Sequence, residues 1–296
     1  MAVCAALVVP AKAHADLEIV ATLPSLAAIA AEVGGQSVTV RSLTSPAEDP
    51  HFVDARPDFI VALSRADVLI VNGLDLEIGW LPSLQAQSRN PDISTGGSGF
   101  VDASAGLALL EVATGAVDRS MGDVHPGGNP HYLLDPRRAA DVALAIGARL
   151  AQLDPTNAAT YLANSATVSA ELTGFADQVA AEFADLGANR PVVTYHRSFV
   201  YLAEWLGLTV AIELEPRPGV APDPGHVATV LSTMRSASVH VILQEAWYPS
   251  STSRQLAELA GATLITVDGG PDFAGGESYT DWLRTVTEAI HASLRG

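Results

Sequence analysis

From Asp154 to Leu186 the chain reads DPTNAATYLANSATVSAELTGFADQVAAEFADL, a helix-compatible run broken only weakly, at Gly174. It covers about 30 residues, where an ordinary globular helix has about 12. At about 1.5 Å per residue it spans roughly 45 Å, enough to cross a whole domain. A rod of that length in mid-chain restricts the fold, because it must traverse the molecule and tie together whatever lies on either side.

What lies on either side is the same kind of series twice. Before the rod, LEIVAT reads as a short buried strand and LPSLAAIAAEVGG as a helix stopped by its glycines. SVTVRSL alternates as a strand. The loop TSPAEDPH follows, then ARPDFIVALSRA as a helix with proline in its first turn, then DVLIVNG as a strand buried on both faces. Residues 89–130 are loop-rich, and DPRRAADVALAIGARLAQL is a periodic helix. After the rod come the strands RPVVTYH, TVAIELE, VHVILQEA and ATLITVD, separated by helical segments and closed by SYTDWLRTVTEAIHASL. Alternating strands and helices produce largely parallel sheets with helices on their faces. The expected fold is α/β: two Rossmann-like lobes with mostly parallel sheets, joined by one long linking helix. The expected boundaries are 1–15 for a signal peptide, 16–153 for the first lobe, 154–186 for the linking helix and 187–296 for the second lobe.

Charge narrows the partners. With 33 acidic against 16 basic residues, the formal net charge is -17. Such a chain repels nucleic acid and anionic membrane surfaces. The sole cysteine, Cys4, lies in MAVCAALVVPAKAHADLEIV. That stretch is apolar and ends in Ala13-His14-Ala15, an A-x-A pattern that predicts export with cleavage after Ala15. It lacks a basic n-region, which points to a translation start upstream of Met1. Cys4 is too near Met1 for a lipoprotein cleavage site. The mature chain would then have no thiol, which excludes internal disulfides and cysteine-based zinc sites.

The remaining chemistry rests on eight histidines. His51 in AEDPHF and His131 in GGNPHY each follow a proline in a turn-rich loop, and His196 follows the strand RPVVTY. Loops at strand ends form the ligand crevice of open α/β sheets. No H-E-x-x-H pair exists, so a metal site must be assembled from both lobes. Asp268 ends the last strand in LITVDGG and is placed to match His196. Three imidazoles and a carboxylate make a borderline-soft set suited to Zn²⁺. Glu48 and Glu245 are expected to orient imidazoles. His125 in GDVHPGG is read either as an auxiliary metal collector or as a solvated loop residue, and Glu204 as a solvated helix charge. His226, His240 and His291 are expected to be structural or superficial.

From about Leu17 to the C-terminus these blocks resemble the TroA-like or ZnuA-like metal-binding proteins of ABC transporters. VATLPSLAAIAAEVGG resembles that family's opening. LTSPAEDPHFVDARPDFIVALSRADVLIVNG carries His51 at a metal position, NPHYLLDP carries His131, TYHRSFVYLAEWLGL carries His196 and LITVDGG carries Asp268. The resemblance implies a monomeric periplasmic protein that binds Zn²⁺ and delivers it to an inner-membrane ABC permease, without catalysis. Two departures stand out. Phe52-Val53-Asp54 replaces a Thr-Tyr-Glu-like run, and the His-rich loop before the second ligand is reduced to His125. The second leaves room for delivery by a periplasmic metallochaperone. His196 stands where manganese members place a carboxylate, which favours zinc over manganese or iron. Two alternatives from other classes are a zinc-dependent hydrolase with Asp268 as base, and a binder of an organic solute. Only 6% aromatic residues argues against the latter.

Overall fold

The computed structural model describes residues 16–115 and 124–295; the expected signal peptide, with Cys4 and His14, lies outside them. Two four-stranded sheets are present. In the first, β1 (Leu17–Ala21), β2 (Val38–Ser42), β3 (Val68–Val71) and β4 (Phe100–Asp102) lie in the order β2-β1-β3-β4. In the second, β5 (Pro191–Thr194), β6 (Thr209–Glu213), β7 (Val241–Glu245) and β8 (Thr263–Val267) lie in the order β6-β5-β7-β8. Every pairing among these eight strands is parallel. The strands β3 and β7 are buried along their whole length, whereas the edge strand β2 alternates between half-buried and exposed. This is the expected contrast between a strand covered on both faces and one at a margin.

Helices α1 (Pro24–Gly34), α2 (Pro57–Arg65) and α3 (Leu81–Ser88) connect the first sheet. Next come α4 (Pro136–Leu153) and the rod α5 (Ala158–Ala184). Helices α6 (Val200–Leu206), α7 (Pro224–Ser236), α8 (Ser251–Ala260) and α9 (Tyr279–Arg295) belong to the second half. Most begin with proline in the first turn, where its missing N–H costs nothing. Asp135 and Asp223 cap α4 and α7 through their side chains. The rod starts at Ala158 rather than Asp154, because the Asp154 side chain instead folds the turn before it, accepting from Thr156 N–H at 3.2 Å and from Asn157 Nδ2 at 2.6 Å. Two elements within or beside the loop-rich stretch, α3 and β4, are too short to stand out in the pattern.

Along α5 the buried residues are Tyr161, Ser165, Val168, Leu172, Phe175, Ala176, Val179 and Phe183. Their alternating three- and four-residue spacing is one stripe of a helix. The stripe lies in an apolar core that is continuous from Ile19, Leu26 and Val68 to Val192, Val241 and Leu283. Separate clusters around Phe59 and Val230 cover the outer faces of the two sheets. In addition, Tyr279 at the start of α9 donates its hydroxyl to the Leu133 carbonyl at 2.8 Å, tying the last helix to the first half. Glu204 is an exposed helix charge, as expected, and its carboxylate also pairs with Arg138 at 2.9 Å and Arg137 at 3.5 Å, joining α6 to α4.

Candidate metal centre

In each sheet the first strand is flanked by the second on one side and the third on the other, so the chain reverses direction of progress there. Ligand crevices form outside the carboxyl ends of strands at such a reversal. His51 comes from the loop after β2, His196 stands two residues beyond the end of β5, and His131 stands shortly before α4. The three imidazoles meet, with one ring nitrogen of each within 4.8 Å of the others. Ring centroids are 5.3 Å apart for His51 and His131, 5.8 Å for His51 and His196, and 5.5 Å for His131 and His196.

The Pro-His pairs share one local device. In Asp49-Pro50-His51, the Asp49 carboxylate accepts the His51 backbone N–H at 3.0 Å and its Nδ1–H at 2.8 Å. In Asn129-Pro130-His131, the Asn129 Oδ1 accepts the same two groups of His131, each at 3.0 Å. An Asx side chain folding back onto the residue two ahead is a turn motif. Here it also sets the tautomer, since an oxygen that only accepts leaves the proton on Nδ1 and the lone pair on Nε2. The proline carbonyls are pinned as well. Pro50 accepts from Trp80 Nε1 at 2.9 Å, and Pro130 from Asn72 Nδ2 at 3.0 Å.

His196 obeys the same rule with a partner from elsewhere in the chain. Its Nδ1 donates to Glu215 Oε2 at 2.7 Å, and Gly219 N–H donates to the same oxygen at 3.1 Å. Pairing beyond the ends of β5 and β6, through Glu215 N–H to the Tyr195 carbonyl at 2.9 Å, sets Glu215 beside His196. Nε2 of His51 and of His131 is buried with no hydrogen-bond partner. A buried acceptor in that condition is costly unless something binds it. Imidazoles held at Nδ1 by oxygen and offering Nε2 are how metal-ligating histidines are prepared.

Electrostatics differ across the cluster. Burial, reinforced by His51, His196 and His125, pushes the His131 imidazole well below its ordinary value. Burial also acts downward on His196, but the hydrogen bond it donates to Glu215 and the charges of Glu245, Glu215 and Asp49 outweigh it and the net shift is upward. Burial raises the Glu245 carboxyl, which accepts from the Ser198 hydroxyl and whose Oε2 has no hydrogen-bond partner.

Asp268 follows β8 as expected but is exposed, outside the three-imidazole group. It lines a cavity of about 60 Å³ together with His131, Glu245 and Trp247. Glu48 does not orient an imidazole: it accepts Ser45 N–H at 2.7 Å and pairs with Arg56 at 3.3 Å. Its neighbour Asp49 does that work. Sequence reading also missed Asn129, although the repeated Asx-Pro-His could have signalled both. Glu215 had no local signal, lying 19 residues beyond His196. Of the other histidines, His226 Nε2 donates to the Glu213 carbonyl at 2.9 Å and His291 Nε2 to that of Glu182 at 3.2 Å, structural roles in both cases.

The site faces a crevice of about 600 Å³ between the halves, lined by His125, His131, His196, Glu111 and Arg197. Asn129 bridges it, donating Nδ2 to Glu111 at 3.1 Å and to the Arg197 carbonyl at 2.9 Å. Arg197 and Glu111 form an ion pair across the same gap.

Residues 19–293 match the family described as zinc-uptake complex component A, periplasmic. The high-affinity zinc uptake system protein ZnuA of Bacillus subtilis (strain 168) is 26% identical over 258 residues, covering 83% of this chain and 77% of the relative. The manganese ABC transporter substrate-binding lipoprotein PsaA of Streptococcus pneumoniae is 24% identical over 287 residues, covering 94% and 89%. A crystal structure of ZnuA superposes with a TM-score of 0.79 at 24% identity, over 94% of this chain and 99% of that one.

Proposed function

Because the chain belongs to the zinc-uptake component A family of metal ABC transporter substrate-binding proteins, we propose that its own cargo is Zn²⁺. Under this reading the protein captures the ion between its halves in the periplasm and passes it to an inner-membrane ABC permease, acting as a monomer and without catalysis. A periplasmic metallochaperone is a compatible donor. The observation that carries the reading is the shared tautomer: Nδ1 of His51, His131 and His196 is held by a protein oxygen, and the nitrogens converge within 4.8 Å. Neutral imidazole nitrogen suits zinc, whereas manganese is better served by carboxylate and water. The carboxylates near the cluster, Asp49 and Glu215, hold imidazole protons instead of facing an ion directly, and they supply counter-charge. Asp268 is the carboxylate candidate for a further position, reached from the end of β8.

Elemental analysis of protein purified without added metal, followed by competitive titration with Zn²⁺ and Mn²⁺, tests the proposal. Zinc should be retained and should outcompete manganese. His131→Ala or His196→Ala should each weaken zinc binding by more than the roughly 10–100-fold cost of losing a group that only orients a ligand. Equal retention of the two metals would move the assignment toward the manganese relatives, and unchanged zinc binding in His196→Ala would remove the two-lobe site.

A further inference from the structure

We propose that Asn129 sets how long the ion stays bound, by holding the His131 ring and the second half of the chain with one amide; this rests on the function proposed above. Asn129 touches no ion and acts as a positioning residue. It is buried, and every polar group it has is in use. Oδ1 accepts the backbone N–H and the Nδ1–H of His131, each at 3.0 Å. Nδ2 donates to Glu111 Oε2 at 3.1 Å and to the Arg197 carbonyl at 2.9 Å. Arg197 is the residue after His196. One planar group therefore stands between the His131 ring in the first half and the backbone beside His196 in the second. The bonds also fix which end of the amide is which, since the His131 backbone N–H can only donate and the Arg197 carbonyl can only accept.

The other Asx-Pro-His turn shows what an amide adds. Asp49 holds His51 through one carboxylate oxygen that accepts the same two groups. A carboxylate would therefore orient His131 equally well, but it could not donate. Asn129 has two N–H bonds to give and gives both, one of them across the crevice. Backbone contacts reinforce the seam. The Asn129 carbonyl accepts the hydroxyl of Tyr201, from α6, at 2.8 Å. That hydroxyl accepts Leu110 N–H at 3.0 Å, and Asn129 N–H bonds the Leu110 carbonyl at 2.9 Å. Glu111, which takes the other amide N–H, has a φ of 55°, in the left-handed region that non-glycine residues seldom enter. Its carboxylate is the one that pairs with Arg197.

The planarity of the amide couples the two contacts. Oδ1 and Nδ2 turn together about the Cβ–Cγ bond, so drawing the Arg197 carbonyl away frees the amide to turn, and turning takes Oδ1 out of line with His131 Nδ1. In the opposite sense, an ion on His131 Nε2 fixes the ring, and the ring keeps Nδ2 aimed at Arg197. The ion then leaves only when the ring contact and the seam give way together. Contacts of this kind act mainly on dissociation and much less on association.

Asn129→Asp separates the two jobs, because it keeps the acceptor for His131 and removes both donors. Zinc dissociation, followed by stopped-flow chase with a chelator, should become about 10–100-fold faster, with association nearly unchanged. X-ray absorption of the zinc-loaded variant should show the same number of imidazole ligands as the wild type. Asn129→Ala removes the amide without adding a charge and should release zinc at least as fast, since His131 loses its acceptor too. In Asn129→Asp with Glu111→Gln, the charge repulsion is relieved but the Arg197 carbonyl still has no donor, so release should slow only in part. Far-UV circular dichroism and thermal unfolding of the apo variants establish that each is folded. A residue that only stabilised the fold would lower the unfolding temperature and leave zinc dissociation from the folded protein unchanged. Wild-type dissociation in both single variants, or full recovery in the double variant, overturns the proposal. Failure here is distinguishable from failure of the function: if the wild type retains zinc and His131→Ala does not, while both Asn129 variants release it at the wild-type rate, only the role of Asn129 is wrong. If the wild type does not retain zinc, the function itself is wrong.

Discussion

Glu77 shows at the residue scale how much the crevice depends on groups that never face it. Its side chain is 4% exposed, and it accepts from the Thr22 hydroxyl at 2.6 Å as well as from the two N–H groups of its own turn. Thr22 follows β1 and Asn72 follows β3, so one carboxylate fastens the loops at the reversal point of the first sheet. Burial raises its pKa, and the three hydrogen bonds only partly offset that. In the window between the unfolded value and the raised folded one, the native state binds more protons than the unfolded state. Its contribution is therefore fully present below the unfolded value and declines as pH rises through the folded one. Glu77→Gln removes this titration. Urea denaturation at a series of pH values should show the difference in stability between wild type and variant shrinking as pH rises through that window. Parallel curves would mean that Glu77 does not titrate there. The variant should also be less stable at low pH, since an amide presents N–H to a site built of donors.

Among the elements, α4 and α5 depend on one small residue where they cross. Gly147 lies buried in the middle of α4, and a Cβ built there would sit 2.3 Å from Ser165 Oγ, 2.4 Å from Ser165 Cβ and 3.0 Å from the Tyr161 carbonyl. Alanine is ordinarily the better helix residue by about 1 kcal/mol. At Gly147 the clash reverses the sign, and Gly147→Ala should destabilise by about 1–3 kcal/mol. Gly174 in α5 is the control. It is exposed, and an added Cβ meets nothing within 4 Å. Gly174→Ala should stabilise by about 0.5–1 kcal/mol. Chemical denaturation of both variants checks the pair, and opposite signs are the expected result. If both stabilise, the helices have room to separate and the close approach is not a constraint.

At the scale of the whole molecule, the two sheets are separate but the core is not. Residues of both halves and the stripe of α5 belong to one apolar cluster, and Tyr279, Asn129 and Arg197 add polar ties across the junction. Separating the halves would expose that core to water at a cost of about 25 cal/mol per Å². Scanning calorimetry of the apo mature chain should therefore give one endotherm, and two resolved transitions would show the halves to be independent. Zinc binds only the folded state under the proposed function, so saturation should raise the transition without splitting it. At 100 times the Kd the gain is about 2.7 kcal/mol.

Much of this was legible in the residues alone. Periodicity located the buried strands and nearly all the helices, because burial on one face or two leaves its mark on a contiguous stretch. The Pro-His pairs were read as turns, and the Asx residue before each proline, though missed, was a local signal, since an Asx side chain reaches two residues ahead. What sequence could not supply was every relation made by strand order and loop closure. Glu215 reaches His196 only because β6 lies beside β5. His125 nears His51 only because the Leu74 carbonyl, held by a turn after β3, catches its Nδ1. Asp268 occupies the expected strand end, yet its side chain is exposed. A strand end specifies where a side chain begins, whereas what the side chain touches is decided by the packing of distant segments around it.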